Sequence, residues 1–314
     1  MKSQNNSRRF GESVAIIVLN WNNENDSIEC LRSLEKITYP DFKVFAVDNG
    51  SREDSAAILR DFCKGKTAFM ETGKNLGFSG GNNVAMRRAL AEGFAYVLLL
   101  NSDTTVASDF LDEMIAVARS DARIGVVGPK IYYYFDPERI WYGGGVMRWP
   151  QGGTHVQLGE IDANPRERQA RETEYVTGCA FLIKSEVIRK VGEMNEDFFL
   201  YHEDTDWSLR VKKAGYALMY APLAKVYHKV SRTTSALGSP AILYYDTRNA
   251  LLLAQRHAPV FMRWQIYLLS GARYFKQIIK YVILPSRREA SRMIMRGIED
   301  FYRGRFGQLK EPQS

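Results

Sequence analysis

The polar and apolar positions fall into a regular order from Val14 onward. Three unbroken apolar runs, Val14 to Asn20 (VAIIVLN), Val44 to Asp48 (VFAVD) and Tyr96 to Leu100 (YVLLL), lack the alternation of a half-exposed strand. They predict strands buried on both faces. Between them the spacing turns helical: SIECLRSLEKI from Ser27, SAAILRDFC from Ser55, and GGNNVAMRRALAEG from Gly80, with a helix opening at about Asn82. Alternating strand and helix over the first hundred residues predicts an α/β sheet, whose ligands bind beyond the C-terminal ends of the strands.

Polar residues gather at those strand ends. Asn20, Asn22 and Asn23 follow the first run, Asp48 and Asn49 the second, Asn101 and Asp103 the third. Any one of them alone serves a turn; three strand exits so furnished mark a site. Further on, YYYFDPERIWYGGGVMRWPQGG mixes aromatics with glycines and reads as pocket-shaping loops, and ANPRERQARETE reads as a solvated charged loop. Strand-like spacing returns from Tyr175 to Val187 and again in YALMYAPLAKVYHKVS, which contains His228. Between these lies FFLYHEDTDWSLR, where an apolar run meets Glu203, Asp204 and Asp206. The run predicts a buried strand, and acids at its exit need a partner or a task.

Composition narrows the classes. With 314 residues, 45% of them hydrophobic, the chain exceeds one average domain of roughly 100–200 residues. Cys30, Cys63 and Cys179 are odd in number and contain no CxxC pair, which points to a reducing compartment and away from a disulfide framework or a zinc site. The polar start MKSQNNSRRFGES carries no signal-peptide pattern. In the tail, Trp264 to Leu284 is interrupted by Arg273, Lys276 and Lys280, so no membrane-spanning helix is expected. Net charge is +7, but residues 240–314 hold 13 Lys and Arg against 5 Asp and Glu, or +8, leaving 7 − 8 = −1 for the rest. The basic character belongs to the tail.

NLGFSGGNN, Asn75 to Asn83, supplies glycines for close backbone approach and a helix start that favours anions. Its spacing is neither the Walker phosphate loop nor the dinucleotide fingerprint. LLLNSDTTV sets Asp103 just past a buried strand, where one carboxylate, with diphosphate oxygens and water, can hold a magnesium- or manganese-type ion. Taken in order, VAIIVLNWNN, VFAVDNGSRED, NLGFSGGNN, LLLNSDTTV, VTGCAFLIKSEV and FFLYHEDTDWSLRVKKAGY resemble the successive motifs of family 2 glycosyltransferases with the GT-A fold, closest to the rhamnosyltransferase-like members of bacterial surface polysaccharide synthesis. The likeness covers about residues 14 to 235, and YYDTRNALLL and RGIEDFYRGRFG in the tail also resemble that subgroup.

The resemblance implies a mixed, mostly parallel GT-A sheet at 14–235, preceded by a polar tail, 1–13, and followed by a basic amphipathic helical region, 236–314. It implies that Asn20, Asn22, Asp48, Asn75, Gly77, Asn101 and Ser102 hold the nucleotide, and that Asp103 and His228 hold a divalent Mg2+ or Mn2+ ion. The family's DxD motif falls on Asn101-Ser102-Asp103, with an amide in the first place. Asp204 of the ED pair takes the part of general base, Glu203 that of acceptor orientation, and Thr177, Gly178 and Trp207 line the sugar pocket. On the residues alone, Asp204 and Asp206 could instead favour a helix N-terminus, and His228 could be a packed histidine.

The implied function is an inverting, metal-dependent transfer from a dTDP-rhamnose or UDP-sugar type donor to a glycan or polyprenyl-linked glycan. Its implied place is the cytoplasm, at the inner face of a membrane. Two alternatives stay open: a catalytically silent nucleotide-sugar-binding subunit, and a nucleotidyltransferase, although LNWNNEND lacks the basic activating loop of the latter. VFMRW ends like the QxxRW signature of processive synthases, but position 260 is Val. The tail either lies on an anionic leaflet or packs on the catalytic domain or a second subunit, as in a homo-oligomer. No nucleic-acid motif accompanies it.

Overall fold

The computed structural model describes residues 12–149, 152–230 and 240–310. The polar tail expected at 1–13 lies outside them except for Glu12 and Ser13, as do 236–239 of the expected basic region. Four strands, β1 (Val14–Asn20), β2 (Phe42–Asp48), β3 (Ala68–Glu71) and β4 (Tyr96–Asn101), run parallel in the order β3-β2-β1-β4. The helices between them are α1 (Glu24–Leu34), α2 (Glu53–Cys63) and α3 (Gly77–Ala91). Both faces of β1 are buried: Ile16 and Val18 pack with Leu31 and Phe110, and Ala15 and Ile17 pack with Met86 and Trp207. This two-sided burial is why the strands read as continuous apolar runs.

After β5 (Thr104–Val106) and α4 (Phe110–Ser120), the sheet continues through β6 (Ile124–Tyr133) and β7 (Asp136–Tyr142). A hairpin of β8 (Gly145–Arg148) and β9 (Gly152–His155) stands apart from it, and β10 (Arg171–Glu172) and β11 (Ala180–Lys184) follow. Then come α5 (Ser185–Val191), α6 (Glu203–Lys213) and β12 (Ala217–His228). β11 inserts antiparallel between β4 and β6, and β12 runs parallel to β6, which makes the sheet mixed.

The glycine-rich aromatic stretch read as loops is mostly strand, because its rings pack on one another. Tyr142 meets Tyr175 and Tyr220 edge-on, and Trp141 meets His155 and His228. The charged segment before β10 is mostly exposed, as expected, and is anchored at its ends: Arg171, which opens β10, lies 4.4 Å over the Tyr220 ring, and Asp162, just before the segment, pairs with the buried Lys130 at 2.8 Å.

Three helices close the chain: α7 (Pro240–His257), α8 (Val260–Ile283) and α9 (Arg288–Tyr302). α7 is sunk into the protein. Arg248 and Asn249 on it have no exposed surface. No helix among the described residues is long and apolar enough to cross a membrane.

Candidate active site

The C-terminal ends of β1 and β2 form one polar net. Asn20 donates from Nδ2 to Asp48 Oδ1 (3.0 Å) and to Ser51 Oγ (3.2 Å), and its Oδ1 accepts from Ser27 Oγ and from the Asn23 amide. Its amide is thereby spent on protein and fully buried, which corrects the expectation that Asn20 contacts the nucleotide: it braces Asp48. Asp48 Oδ2 also accepts from the Ser51 amide. Asn22, left-handed at φ 52°, accepts from the Arg52 amide and shapes the β1 exit beside the exposed Trp21. Asn49 bridges from this net to the glycine-rich turn, donating to Asn75 Oδ1 and Gly77 O and accepting from the Leu76 amide.

That turn departs from expectation. The helix opens at Gly77, not near Asn82, so the glycines lie inside its first turns. They permit close packing: a Cβ on Gly81 would fall 2.7 Å from Leu19 Cδ1, and one on Gly77 2.3 Å from Phe199 O. Gly77 also has φ +74°, which suits glycine alone at no steric cost.

The β4 exit carries the acid of the N-S-D triplet. The Asn101 amide donates to Cys179 O and its carbonyl accepts from Thr104 Oγ1, so its backbone is fixed at the strand end. Ser102 occupies the turn that follows. Antiparallel pairing of β5 with β12 puts His228 opposite Thr104, and this brings His228 Nε2 to 3.2 Å from Asp103 Oδ1. The two side chains are 7% and 15% exposed. Burial would raise the Asp103 carboxyl, but His228 beside it holds it below the ordinary range. Burial opposes charge on His228, whereas the Asp103 carboxylate at hydrogen-bond distance favours it and raises the imidazole, and a divalent ion held here would take the place of that proton.

One carboxylate and one imidazole turned toward each other fit two ligands of an octahedral-type ion that keeps substrate oxygens and water. Among the described residues no group of three or more His, Cys, Asp and Glu could hold a metal, so such an ion would depend on the substrate for its remaining ligands.

The acidic loop has unusual backbone geometry. Phe199, Tyr201 and His202 have φ of 59°, 69° and 71°. Such conformations persist only where the surroundings over-determine them. Here α7 does so: Asn249 Nδ2 reaches Phe198 O (2.5 Å), Leu200 O (2.8 Å) and Tyr201 O (3.0 Å), and Arg248 donates to Asp197 O, Phe198 O and Gly307 O. Phe199 O in turn accepts from the Phe78 amide at 2.7 Å, joining the loop to the glycine-rich turn.

Asp204 sits at the head of α6, half-buried. Its Oδ2 accepts from the Gly178 amide (2.7 Å), and its Oδ1 from the Thr205 amide (2.6 Å) and hydroxyl (3.0 Å). Glu203 is 5% exposed, Oε2 has no partner, and burial together with Asp204 raises its carboxyl well above the ordinary range. Burial drives Glu203 toward its neutral form, while the adjacent Asp204 keeps three hydrogen bonds to its oxygens.

Four more residues near this loop find their places in the structure. Trp207 has no exposed surface, stacks on Phe181 at 4.9 Å and donates to Gly192 O, so it belongs to the core and not to a sugar pocket. Gly178 and Thr177 are buried; Gly178 lies against Phe78 and Asp204, and its part is to hold the carboxylate. Asp206 is a structural tie: Oδ2 takes Arg210 Nε (2.9 Å) and Oδ1 pairs with His257 Nε2 of α7 (2.8 Å).

Some participants were not singled out from the sequence. Trp141 packs on His228 at 4.6 Å, His155 packs on Trp141, and Lys229 binds Asp26 and Glu29 of α1. Arg248 and Asn249 stood inside a motif whose role was not assigned. The available signal is a charged and an amide residue set directly before the apolar run Ala250 to Ala254.

Known proteins resemble this chain over most of its length. It is 27% identical over 255 residues to the N-acetylglucosaminyl-diphospho-decaprenol L-rhamnosyltransferase of Mycobacterium tuberculosis, covering 73% of this chain and 80% of that protein. It is 22% identical over 269 residues to the dTDP-rhamnosyl transferase RfbF of Shigella flexneri, covering 81% and 84%. The mannosyltransferase PcManGT from Pyrobaculum calidifontis, solved with GDP-Man and Mn2+, superposes with a TM-score of 0.58 at 16% identity, over 94% of this chain and 88% of that one. The fold is GT-A with a C-terminal helical extension. The profile described as Glycosyl transferase family 2 matches residues 13–192, more than half of the sequence, and the chain belongs to that family.

Proposed function

We propose that this glycosyltransferase moves a sugar from a nucleoside diphosphate to an acceptor hydroxyl by one displacement, with inversion. The observation that carries this is the Asp204 carboxylate, fixed by the Gly178 and Thr205 amides on a half-buried helix start, with Cys179, next after Gly178, accepting from the Asn101 amide at the β4 exit. Asp204 accepts the proton of the acceptor hydroxyl, and the hydroxyl oxygen bonds to the anomeric carbon as the bond from that carbon to the β-phosphate oxygen breaks. The nucleoside diphosphate leaves, and Asp204 returns the proton to solvent. Asp103 and His228 are the residues that would hold a divalent Mg2+ or Mn2+ ion, and the chemistry it supplies is neutralisation of charge on the departing diphosphate. Asp48, Asn22, Asn75 and Gly77 shape the donor side, and Asn101 and Ser102 lie between it and the metal side.

A rhamnosyl donor on dTDP and an acceptor carried on a polyprenyl diphosphate follow the two relatives named above. Such an acceptor places the protein at the cytoplasmic face of a membrane.

The test is a thermal-shift screen against UDP, dTDP, GDP and their sugars, with and without Mn2+, followed by transfer assays with Asp204→Asn. A ligand at 100 times its dissociation constant adds about 2.7 kcal/mol to folded stability. Expected are a metal-dependent shift with one nucleotide, its retention in Asp204→Asn, and loss of transfer in that variant. Binding without transfer by the wild-type protein, across acceptors, would favour a silent binding subunit. No shift with any nucleotide, in folded protein, would remove the donor-site assignment.

A further inference from the structure

Helix α8 is amphipathic in the unusual direction. Its 24 residues bury only Ile266, Ser270 and Gln277. At about 100° per residue these three share one narrow arc. The opposite arc holds Phe261, Trp264, Leu268, Phe275, Ile279 and Val282, which are 68%, 56%, 66%, 64%, 44% and 65% exposed. A row of large apolar side chains aimed straight away from the protein is not a core face, and a patch of this extent marks an interaction surface.

Charge identifies the occupant. α8 carries Arg263, Arg273, Lys276 and Lys280 and no acidic residue, and Arg287 and Arg288 follow directly. By the same angular count Lys276 and Lys280 flank one edge of the apolar arc and Arg263 lies past the other. A twofold contact between two such helices would bring like charges together without acids to answer them, whereas apolar insertion flanked by cations matches an anionic bilayer surface. Four charges in 24 residues also keep the helix lying on the membrane and not across it.

Resting on the reading that the acceptor is membrane-borne, we propose that α8 seats the protein on an anionic lipid surface, its apolar arc embedded among the acyl chains and its cations at the headgroups. This seat lies next to the catalytic loop. Arg273 Nη2 donates to Thr247 Oγ1 (3.0 Å), the neighbouring Asp246 pairs with His202 Nε2 (3.2 Å), and His202 directly precedes Glu203 and Asp204. By the same angular count Arg273 lies on the packed side of α8, so these contacts tie the inner face of the helix to the turn that presents the base while the outer face meets the lipid.

The experiment is vesicle flotation of the purified full chain with phosphatidylcholine alone and with added phosphatidylglycerol. Expected is flotation with the anionic vesicles, weakened by salt, and a loss of about tenfold or more in the bound fraction for Leu268→Asp/Phe275→Asp. Both positions are exposed, so circular dichroism and the nucleotide-induced thermal shift of the variant should match the wild type. Two results would overturn the proposal: wild-type protein that does not float with either vesicle, or a wild-type dimer by light scattering that the same double variant dissociates, which would assign the arc to a second copy of the chain. Flotation requires no turnover, so a failed transferase reading shows in the nucleotide screen and a failed membrane seat shows here.

Discussion

Asn249 offers the sharpest test of how the catalytic loop is held. Its Nδ2 group serves three carbonyls, those of Phe198, Leu200 and Tyr201, and its Oδ1 accepts from Arg248 Nε at 2.9 Å. An amide nitrogen has two hydrogens, so Asn249→Ala forfeits the equivalent of two bonds to the loop. Stranding a buried polar group costs about 1–3 kcal/mol, which puts the loss at about 2–6 kcal/mol before water recovers part of it. The larger consequence is geometric. Phe199, Tyr201 and His202 have little reason to keep positive φ once those carbonyls are released, and Asp204 follows them by two residues. A base displaced by about 1 Å costs on the order of a hundredfold in rate. The expected result is a kcat lower by about that factor, measured well below the variant's own melting temperature so that unfolding does not contribute. Nucleotide affinity should change only a few-fold, because the Asn20, Asp48 and Asn49 net makes no contact with Asn249. Asn249→Asp, isosteric but unable to donate, should be at least as damaging. A folded Asn249→Ala enzyme with wild-type kcat would refute the claim that α7 holds the loop in its productive form.

The other expectations concern the remaining parts of the site. Asp103→Asn should weaken activation by Mn2+ on the order of tenfold or more and remove the metal-dependent part of the nucleotide shift; unchanged metal titrations would take Asp103 out of the ion's shell. Gly77→Ala, which puts a Cβ 2.3 Å from Phe199 O at φ +74°, should cost about 1–3 kcal/mol and lower the melting temperature; an unaltered melting curve would mean that the loop yields freely. Glu203, raised by burial, stays protonated in the fold while its unfolded counterpart ionises above pH 4.5, so its contribution to stability falls as pH rises from there. Urea unfolding at pH 5 and pH 7.5 should therefore show Glu203→Gln gaining on the wild type at the higher pH, and parallel pH profiles would count against a neutral Glu203. Asp206, lowered against burial by His257 and Arg210, works the other way: its stabilisation is present above the ordinary value of 3.8 and is lost as pH falls through its depressed one. Asp206→Asn should thus flatten acid denaturation.

The site residues divide by how far in the chain their partners lie, and this explains which of them the sequence reveals. β1, β2 and β4 are buried on two faces, so their apolar runs announce strands, and the polar residues that end them stand out at once. Asp103 is recognisable because it sits at such a boundary, whereas the apolar run before Asp204 is not the buried strand it suggests but an irregular loop with positive φ at Phe199, Tyr201 and His202 that leads into α6. Asn20 shows the limit of that signal: position at a strand exit does not say whether an amide faces a ligand or is used up by Asp48, Ser51 and Ser27. Trp207 fails for a related reason, since one turn of α6 separates a side chain near the cleft from one stacked on Phe181, and a three-residue spacing from Asp204 cannot choose between them. His228 and Asn249 depend on pairings that no local pattern encodes. The first needs β12 to meet β5 in one register, and the second needs a helix in the tail to meet a loop some 50 residues earlier. That second pairing ties the tail to the loop that leads into α6. Since α7 supplies both the Asn249 contacts to the loop and the His257 contact to Asp206, the tail braces the candidate site from behind, and a chain cut before α7 should lose the geometry of Asp204 even where its sheet still folds.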